Sequence, residues 1–151
     1  MKALIICRSY HHGNTKKIAD AMSEVLDAEV IDPADATGEQ LATYDLIGFG
    51  SGIAFGKHYK GLLKCVETLP ALEKKAFVFS TRGAPRQGSH HKALTELLGS
   101  KGFVIVGEFS CRGWDTYVPI FKLIGGIARG HPNEQDLYDA RGFAARLKEA
   151  A

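Results

Sequence analysis

At 151 residues, with 45% hydrophobic and 24% charged side chains, the chain is expected to form one domain, 1–151, with a sizeable core. A net charge of +2 spread along the sequence offers no basic tract for nucleic acid, and no apolar run approaches the roughly 20 residues of a membrane span. Met1-Lys2 leads directly into an apolar run, and Cys7, Cys65 and Cys111 sit in unrelated segments, so a cytoplasmic protein is expected, without signal peptide, disulfide framework or metal-binding cysteine pair.

The first strand is read at 3–7, apolar throughout, as a central parallel strand covered on both faces should be. A helix follows at 14–26, with Ile18, Met22, Val25 and Leu26 in one stripe. The run 28–32 is a short edge strand ending at Asp32-Pro33, and 33–43 is a loop with one helical turn. The third strand, 46–51, leads into a glycine-punctuated loop, 51–59. A second helix carries Tyr59, Leu62, Leu63, Val66 and Leu69 on one face and stops at Pro70. The fourth strand is 76–80, followed by the loop 81–88 and a third helix at 89–98 with Leu94, Leu97 and Leu98 inward. Gly99 and Gly102 frame its stop before a fifth strand, 103–111. The last helix opens at Pro132-Asn133 with Asn133 as its cap, and Leu137, Ala140, Ala144 and Leu147 recur at helical intervals.

Strands alternating with helices imply an α/β fold with a parallel sheet and helices on both faces. Five strands joined by right-handed crossovers suit the doubly wound order 2-1-3-4-5. In that order the loops after strands one and three wall the crevice at the switch point, and the loop after strand four is the next neighbour. These three loops hold the densest Gly, Ser, Thr, His and Arg of the chain.

The first loop, Ser9-Tyr10-His11-His12-Gly13-Asn14-Thr15, joins a buried strand to a helix. Helix N-termini have unpaired N–H groups and about half a positive charge, so such a junction cradles an anion, best of all a phosphate. The same turn also serves as a plain cap through Ser9 or Asn14; its position at the switch point favours the phosphate. The loop lacks the G-x-x-x-x-G-K-[ST] spacing of a Walker loop, and Gly13 alone is not the G-x-G-x-x-G of a dinucleotide fold. Cys7-Arg8 and Ser51 stand where a phosphoacceptor receiver domain needs acidic residues.

The chain resembles the flavodoxin family over nearly its whole length. Residues 9–15 resemble that family's FMN phosphate loop, closing with Gly13-Asn14-Thr15, although His11 and His12 replace hydroxyl residues. Ser51, Gly52, Ile53, Ala54, Phe55, Gly56 and Tyr59 match its first isoalloxazine loop, and Ser80-Thr81-Arg82-Gly83 its second. The resemblance implies a flavodoxin-like fold, non-covalent FMN, and electron transfer between a reductase and an acceptor protein. It implies that Ser9, Tyr10, His11, His12, Gly13, Asn14 and Thr15 surround the phosphate. It also implies that Arg82 lies near the pyrimidine side of the flavin, where a guanidinium would stabilise the anion formed on reduction. Flavodoxins tend to be acidic, whereas this chain is slightly basic; Phe55, Tyr59 and Trp114 are the candidate flavin-stacking aromatics.

Two alternatives stand beside the carrier: a flavin- or quinone-type NAD(P)H oxidoreductase on the same fold, and a cofactor-free interaction module. His11-His12 and His90-His91 are adjacent pairs, which point apart and rarely chelate one ion, so no metal is expected. In 114–129, Ile120, Phe121, Leu123, Ile124 and Ile127 form an apolar stripe, read as core, as a flavin lid or as a homodimer surface.

Overall fold

The computed structural model describes residues 1–9, 13–83, 89–114, 126 and 128–151. Its strands are β1 (Ala3–Arg8), β2 (Glu29–Ile31), β3 (Leu46–Ala54), β4 (Lys57–His58), β5 (Lys75–Arg82) and β6 (Val104–Arg112). Its helices are α1 (Asn14–Leu26), the single turn α2 (Gly38–Leu41), α3 (Lys60–Thr68), α4 (Lys92–Ser100) and α5 (Glu134–Glu149), with a 3₁₀ turn at Pro33–Asp35. The main strands are parallel and ordered β2-β1-β3-β5-β6. Without the short β4, this is the doubly wound order expected from the sequence.

Period-two alternation along the strands divides the core. Ala3, Ile5, Cys7, Phe77 and Phe79 face α1 and α5, where Ile18, Met22, Ala140, Phe143, Ala144 and Leu147 cover them. Leu4, Ile6, Ile47, Phe49, Ala76 and Val78 face the other way, onto Leu62 and Val66 of α3 and Leu94 and Leu98 of α4. The glycines of β3 follow the same alternation. A Cβ on Gly48 would lie 2.2 Å from the Phe77 ring, and one on Gly50 would lie 2.3 Å from the Phe79 ring. The strand gives up side chains so that two phenyl rings of its neighbour can lie across it, which accounts for the run Gly48-Phe49-Gly50-Ser51-Gly52 without any nucleotide motif.

The sequence-predicted loop 51–59 is a β-hairpin instead. β3 runs on to Ala54 and pairs antiparallel with β4 through Ile53 with His58 and Ala54 with Lys57. The two-residue turn is Phe55-Gly56, with φ values of 53° and 78°. Two successive positive φ values are the pattern of a type I′ turn, whose twist matches that of the strands it joins. At the other end of the chain α5 begins as expected: Asn133 Oδ1 accepts the Asp136 N–H at 2.9 Å, and Asp136 Oδ2 accepts the Asn133 N–H at 2.8 Å. This capping box satisfies donors that a helix start leaves open. Tyr10, His11, His12, the loop residues 84–88 and the stripe residues Ile120, Phe121, Leu123, Ile124 and Ile127 lie outside the described residues. No described helix is long and apolar enough to cross a membrane.

Candidate ligand crevice at the carboxyl ends of the strands

The crevice begins where β1 ends. Gly13 adopts a left-handed backbone, φ 67°, and starts α1 without a side-chain cap, a conformation that glycine adopts without a Cβ penalty. Helical geometry leaves the first N–H groups of α1 without partners inside the helix. Ser9 Oγ accepts the Lys16 N–H at 3.3 Å. No acidic residue occupies the first turn, although an acidic side chain would there be stabilised by the helix dipole. Lys16 and Lys17 stand in that turn instead, and Lys16 Nζ contacts Asp20 one turn on at 2.6 Å. The N-terminus of α1 is therefore electropositive and suited to an anion.

Two buried side chains tie this turn to its neighbours. Asn14 Nδ2 donates to the Trp114 carbonyl at 2.7 Å, which brings the exit of β6 against α1. Gly113 permits that approach, since a Cβ there would lie 2.7 Å from Asn14 Nδ2. Asn14 Oδ1 is buried and accepts no hydrogen bond from the described residues. Thr15 Oγ1 and Thr81 Oγ1 share a buried hydrogen bond of 2.8 Å, joining the first loop to the third. Arg8 pairs with Asp32 through Nε at 3.1 Å and Nη2 at 2.8 Å. Burial raises the Asp32 carboxyl, but the Arg8 hydrogen bonds, the Ala34 N–H and the guanidinium charge prevail and hold it below the usual carboxylate range.

The hairpin forms the second wall. Ser51 is fully buried: its Oγ accepts the Tyr59 N–H at 3.0 Å and donates to the Gly52 carbonyl at 2.8 Å. It pins the hairpin to α3. Gly52 lies under the Tyr59 phenol, where a Cβ would come within 2.3 Å of the hydroxyl. Phe55, at the tip, is 89% exposed. His58 is buried and faces back to the Phe79 carbonyl at 3.1 Å. Burial, then the nearby His91, lower its pKa to about 3 against the pull of the Phe79 hydrogen bond, so its imidazole is neutral at physiological pH.

The end of β5 forms the third wall. Ser80 is fully buried, with Oγ 2.7 Å from His91 Nε2 and 3.1 Å from Ser110 Oγ. Arg82 Nη1 donates to Ser110 Oγ at 3.0 Å. The Arg82 and Gly83 carbonyls accept from the Gly113 N–H at 2.8 Å and from Arg112 Nε at 2.7 Å. These bonds fix the end of β5 and Gly83 against β6. The cysteines take no part: burial pushes Cys7 and Cys111 up to about 12 and raises Cys65, so none is a reactive thiolate.

The chain matches the family model described as Flavodoxin domain over residues 4–102. The chain belongs to the flavodoxin domain family. An uncharacterised protein of Methanocaldococcus jannaschii, MJ0298, is 48% identical over 97% of this chain and 98% of its own length. The flavodoxin-like domain-containing protein BilS of Clostridioides difficile is 28% identical over 97% of this chain and 96% of its own. In structure, oxidised Flavodoxin 2 from Bacillus cereus superposes with a TM-score of 0.75 at 20% identity, each chain fully covered; that likeness shows the fold.

Of the residues expected at a flavodoxin site, Ser9, Gly13, Asn14 and Thr15 gather at the α1 N-terminus, and Thr81, Arg82 and Gly83 stand beside them. Gly52, Ile53, Ala54, Phe55, Gly56 and Tyr59 make the hairpin wall. Ser51 and Ser80 belong to the same strand ends but turn their hydroxyls inward, toward Tyr59 N–H and His91. Sequence reasoning weighed His91 only as half of a histidine pair and missed Glu108 and Ser110; all three lie under the third wall. The available signal was Glu108 and Ser110 alternating with Gly107 and Phe109 on β6. Another groove, about 600 Å³ between Met1, Asp45, Lys75, Val106 and Ala151, lies at the opposite, amino end of the strands. Open sheets of this class bind ligands outside the carboxyl ends of their strands, the end at which the three loops lie and this groove does not.

Proposed function

We propose that this crevice holds FMN non-covalently and that the protein carries electrons between a reductase and an acceptor protein. The observation that carries the reading is the α1 N-terminus. A left-handed Gly13 opens it, no carboxylate occupies its first turn, and the family to which the chain belongs typically holds FMN.

The residues present fit the group. The N–H groups of the first turn, with Ser9 and Thr15 beside them, would receive the phosphate; charge-assisted hydrogen bonds of this kind contribute about 1.5–3 kcal/mol each. The side-chain donor of Asn14 is committed to Trp114, so Asn14 would meet the phosphate through its backbone. Its buried Oδ1, with no described donor, would accept a ribityl hydroxyl. The hairpin with Phe55 and Tyr59 would flank the ring on one side and Thr81, Arg82 and Gly83 on the other. Bound there, the flavin supplies one- and two-electron chemistry. The chain orients it, limits water around it and sets a fixed positive charge, Arg82, near the site. Titration of the protein into FMN tests the reading: quenching of flavin fluorescence at one FMN per chain supports it, and undiminished fluorescence at saturating protein refutes it. Reduced FMN-loaded protein that passes electrons to a one-electron acceptor without steady NAD(P)H consumption supports the carrier over the oxidoreductase.

A further inference from the structure

Beneath the third wall lies a chain of polar side chains of which the FMN reading uses only Arg82. His91 is buried at the start of α4. Its Nδ1 is 2.9 Å from Glu108 Oε1, and the Glu108 side chain is 47% exposed. Its Nε2 is 2.7 Å from Ser80 Oγ, Ser80 donates to Ser110 Oγ at 3.1 Å, and Arg82 Nη1 donates to the same oxygen at 3.0 Å. The order from solvent to crevice is thus Glu108, His91, Ser80, Ser110, Arg82. The first three have the spacing of a hydrolytic triad, but Ser80 is fully buried, so no acyl substrate reaches it.

Hydrogen counting shows that the chain has two complete states. A serine hydroxyl has one hydrogen to give. If Ser80 gives its hydrogen to Ser110, Nε2 of His91 must be the donor to Ser80. Nδ1 also donates, to the Glu108 carboxylate, so His91 is an imidazolium. If His91 is neutral, Nδ1 keeps its hydrogen for Glu108, Ser80 donates to Nε2, and Ser110 donates to Ser80. Both states keep the same contacts, Ser80 Oγ to His91 Nε2 at 2.7 Å and to Ser110 Oγ at 3.1 Å. Arg82 donates to Ser110 in both states, and only in the charged state is the Ser110 hydrogen released from the chain.

We propose that Glu108, His91, Ser80 and Ser110 form a proton-storing relay that links protonation of His91 to the charge held in the crevice. The proposal rests on the FMN reading. One electron from an external reductant places a negative charge on the ligand, and one proton enters from the crevice at Ser110 as Ser110 passes its hydrogen to Ser80 and Ser80 passes its own to Nε2 of His91, so the net charge is unchanged. No bond to the ligand forms or breaks. Among the described residues, the other ionisable groups around His91 are His58 on β4, its ring centroid 5.1 Å away, Arg82 on β5, and His90 and Lys92 at the α4 start; Lys60, Lys64 and Glu67 of α3 are exposed. His58 stays neutral, so Glu108 is the counter-charge within hydrogen-bond distance and Arg82 the opposing one.

The test follows the imidazole nitrogens of ¹⁵N-histidine-labelled protein by NMR against pH, with FMN oxidised and with FMN fully reduced by dithionite. The relay predicts that Nδ1 keeps its proton throughout, that Nε2 titrates, and that its midpoint rises on reduction by about one pH unit, a tenfold coupling within the range that linked sites show. Glu108→Gln, at a half-exposed position, should lower the midpoint in both redox states and flatten the pH dependence of the reduction potential. An Nε2 that does not titrate, or one whose midpoint is the same with oxidised and reduced FMN, overturns the relay while leaving FMN binding intact. A protein that never quenches FMN overturns both.

Discussion

Replacing Asn14 by Asp changes one atom type at the first residue of α1 and separates charge from shape. Asn14 is 7% exposed, and its Nδ2 donates to the Trp114 carbonyl. A carboxylate there would lose that donation and face the Trp114 carbonyl, a cost of about 1–3 kcal/mol that the helix dipole offsets by about 0.3–1 kcal/mol, and urea unfolding of the ligand-free variant checks that it is folded under the assay conditions. Two unit charges about 6 Å apart at an effective dielectric of ~20 repel by about 3 kcal/mol, the scale on which such a carboxylate would oppose a phosphate at this helix end. Solvent and salt at the crevice mouth reduce the net effect to about 2–3 kcal/mol, or roughly 30- to 150-fold in affinity. The assay is fluorescence titration of wild type and Asn14→Asp with FMN and, separately, with riboflavin, which has the same ring and ribityl chain without the phosphate. FMN should lose roughly 30- to 150-fold and riboflavin no more than about threefold. Equal losses, or an unchanged FMN affinity, would refute the placement of the phosphate at this helix end.

Three further outcomes follow from packing and burial. Thr15→Val and Thr81→Val should each cost about 1–3 kcal/mol by leaving a buried hydroxyl unpaired, while the double variant costs less than the sum; additive losses by urea unfolding would mean that the 2.8 Å contact does not join the two loops. Gly50→Ala should destabilise by about 1–3 kcal/mol through overpacking, because its Cβ would lie 2.3 Å from the Phe79 ring, and Phe79→Leu should relieve part of that cost; equal stability would contradict the aromatic overlay. His58 has a folded pKa of about 3 against an ordinary 6.5, so the unfolded chain binds the extra proton between those values. Its contribution to stability is intact above pH 6.5 and lost as pH falls toward 3, with about 2–3 kcal/mol gone by pH ~4.5. His58→Gln should remove that increment from the difference in unfolding free energy between pH 7.5 and 4.5; an unchanged difference would show that His58 is protonated in the fold.

The architecture was legible because its signals are local. The apolar run that opens the chain, the stripe Ile18, Met22, Leu26 and the cap at Asn133 each determine their own segment. Strand alternation with helices then leaves few topologies. The hairpin was not legible, because Phe55 holds a left-handed backbone that bulky residues rarely adopt, and Phe-Gly is not a usual signal for such a turn. The crevice was legible as three loops but not as side-chain directions. Ser51 and Ser80 read as loop hydroxyls, yet strand pairing carries β3 and β5 past them and turns both inward. The relay was hidden for a related reason. Ser80, His91, Glu108 and Ser110 share no sequence motif, and they meet only because the β5–β6 register sets Ser80 opposite Ser110 and α4 lays His91 across the pair.

The most direct measurement is a backbone amide NMR titration of the ligand-free protein with FMN. The account predicts that the largest shifts fall on Gly13, Asn14 and Thr15, with a second set at Phe55, Gly56, Arg82 and Gly83. Shifts confined to the opposite end of the sheet, around Met1, Lys75 and Ala151, or no shifts at all, would contradict it.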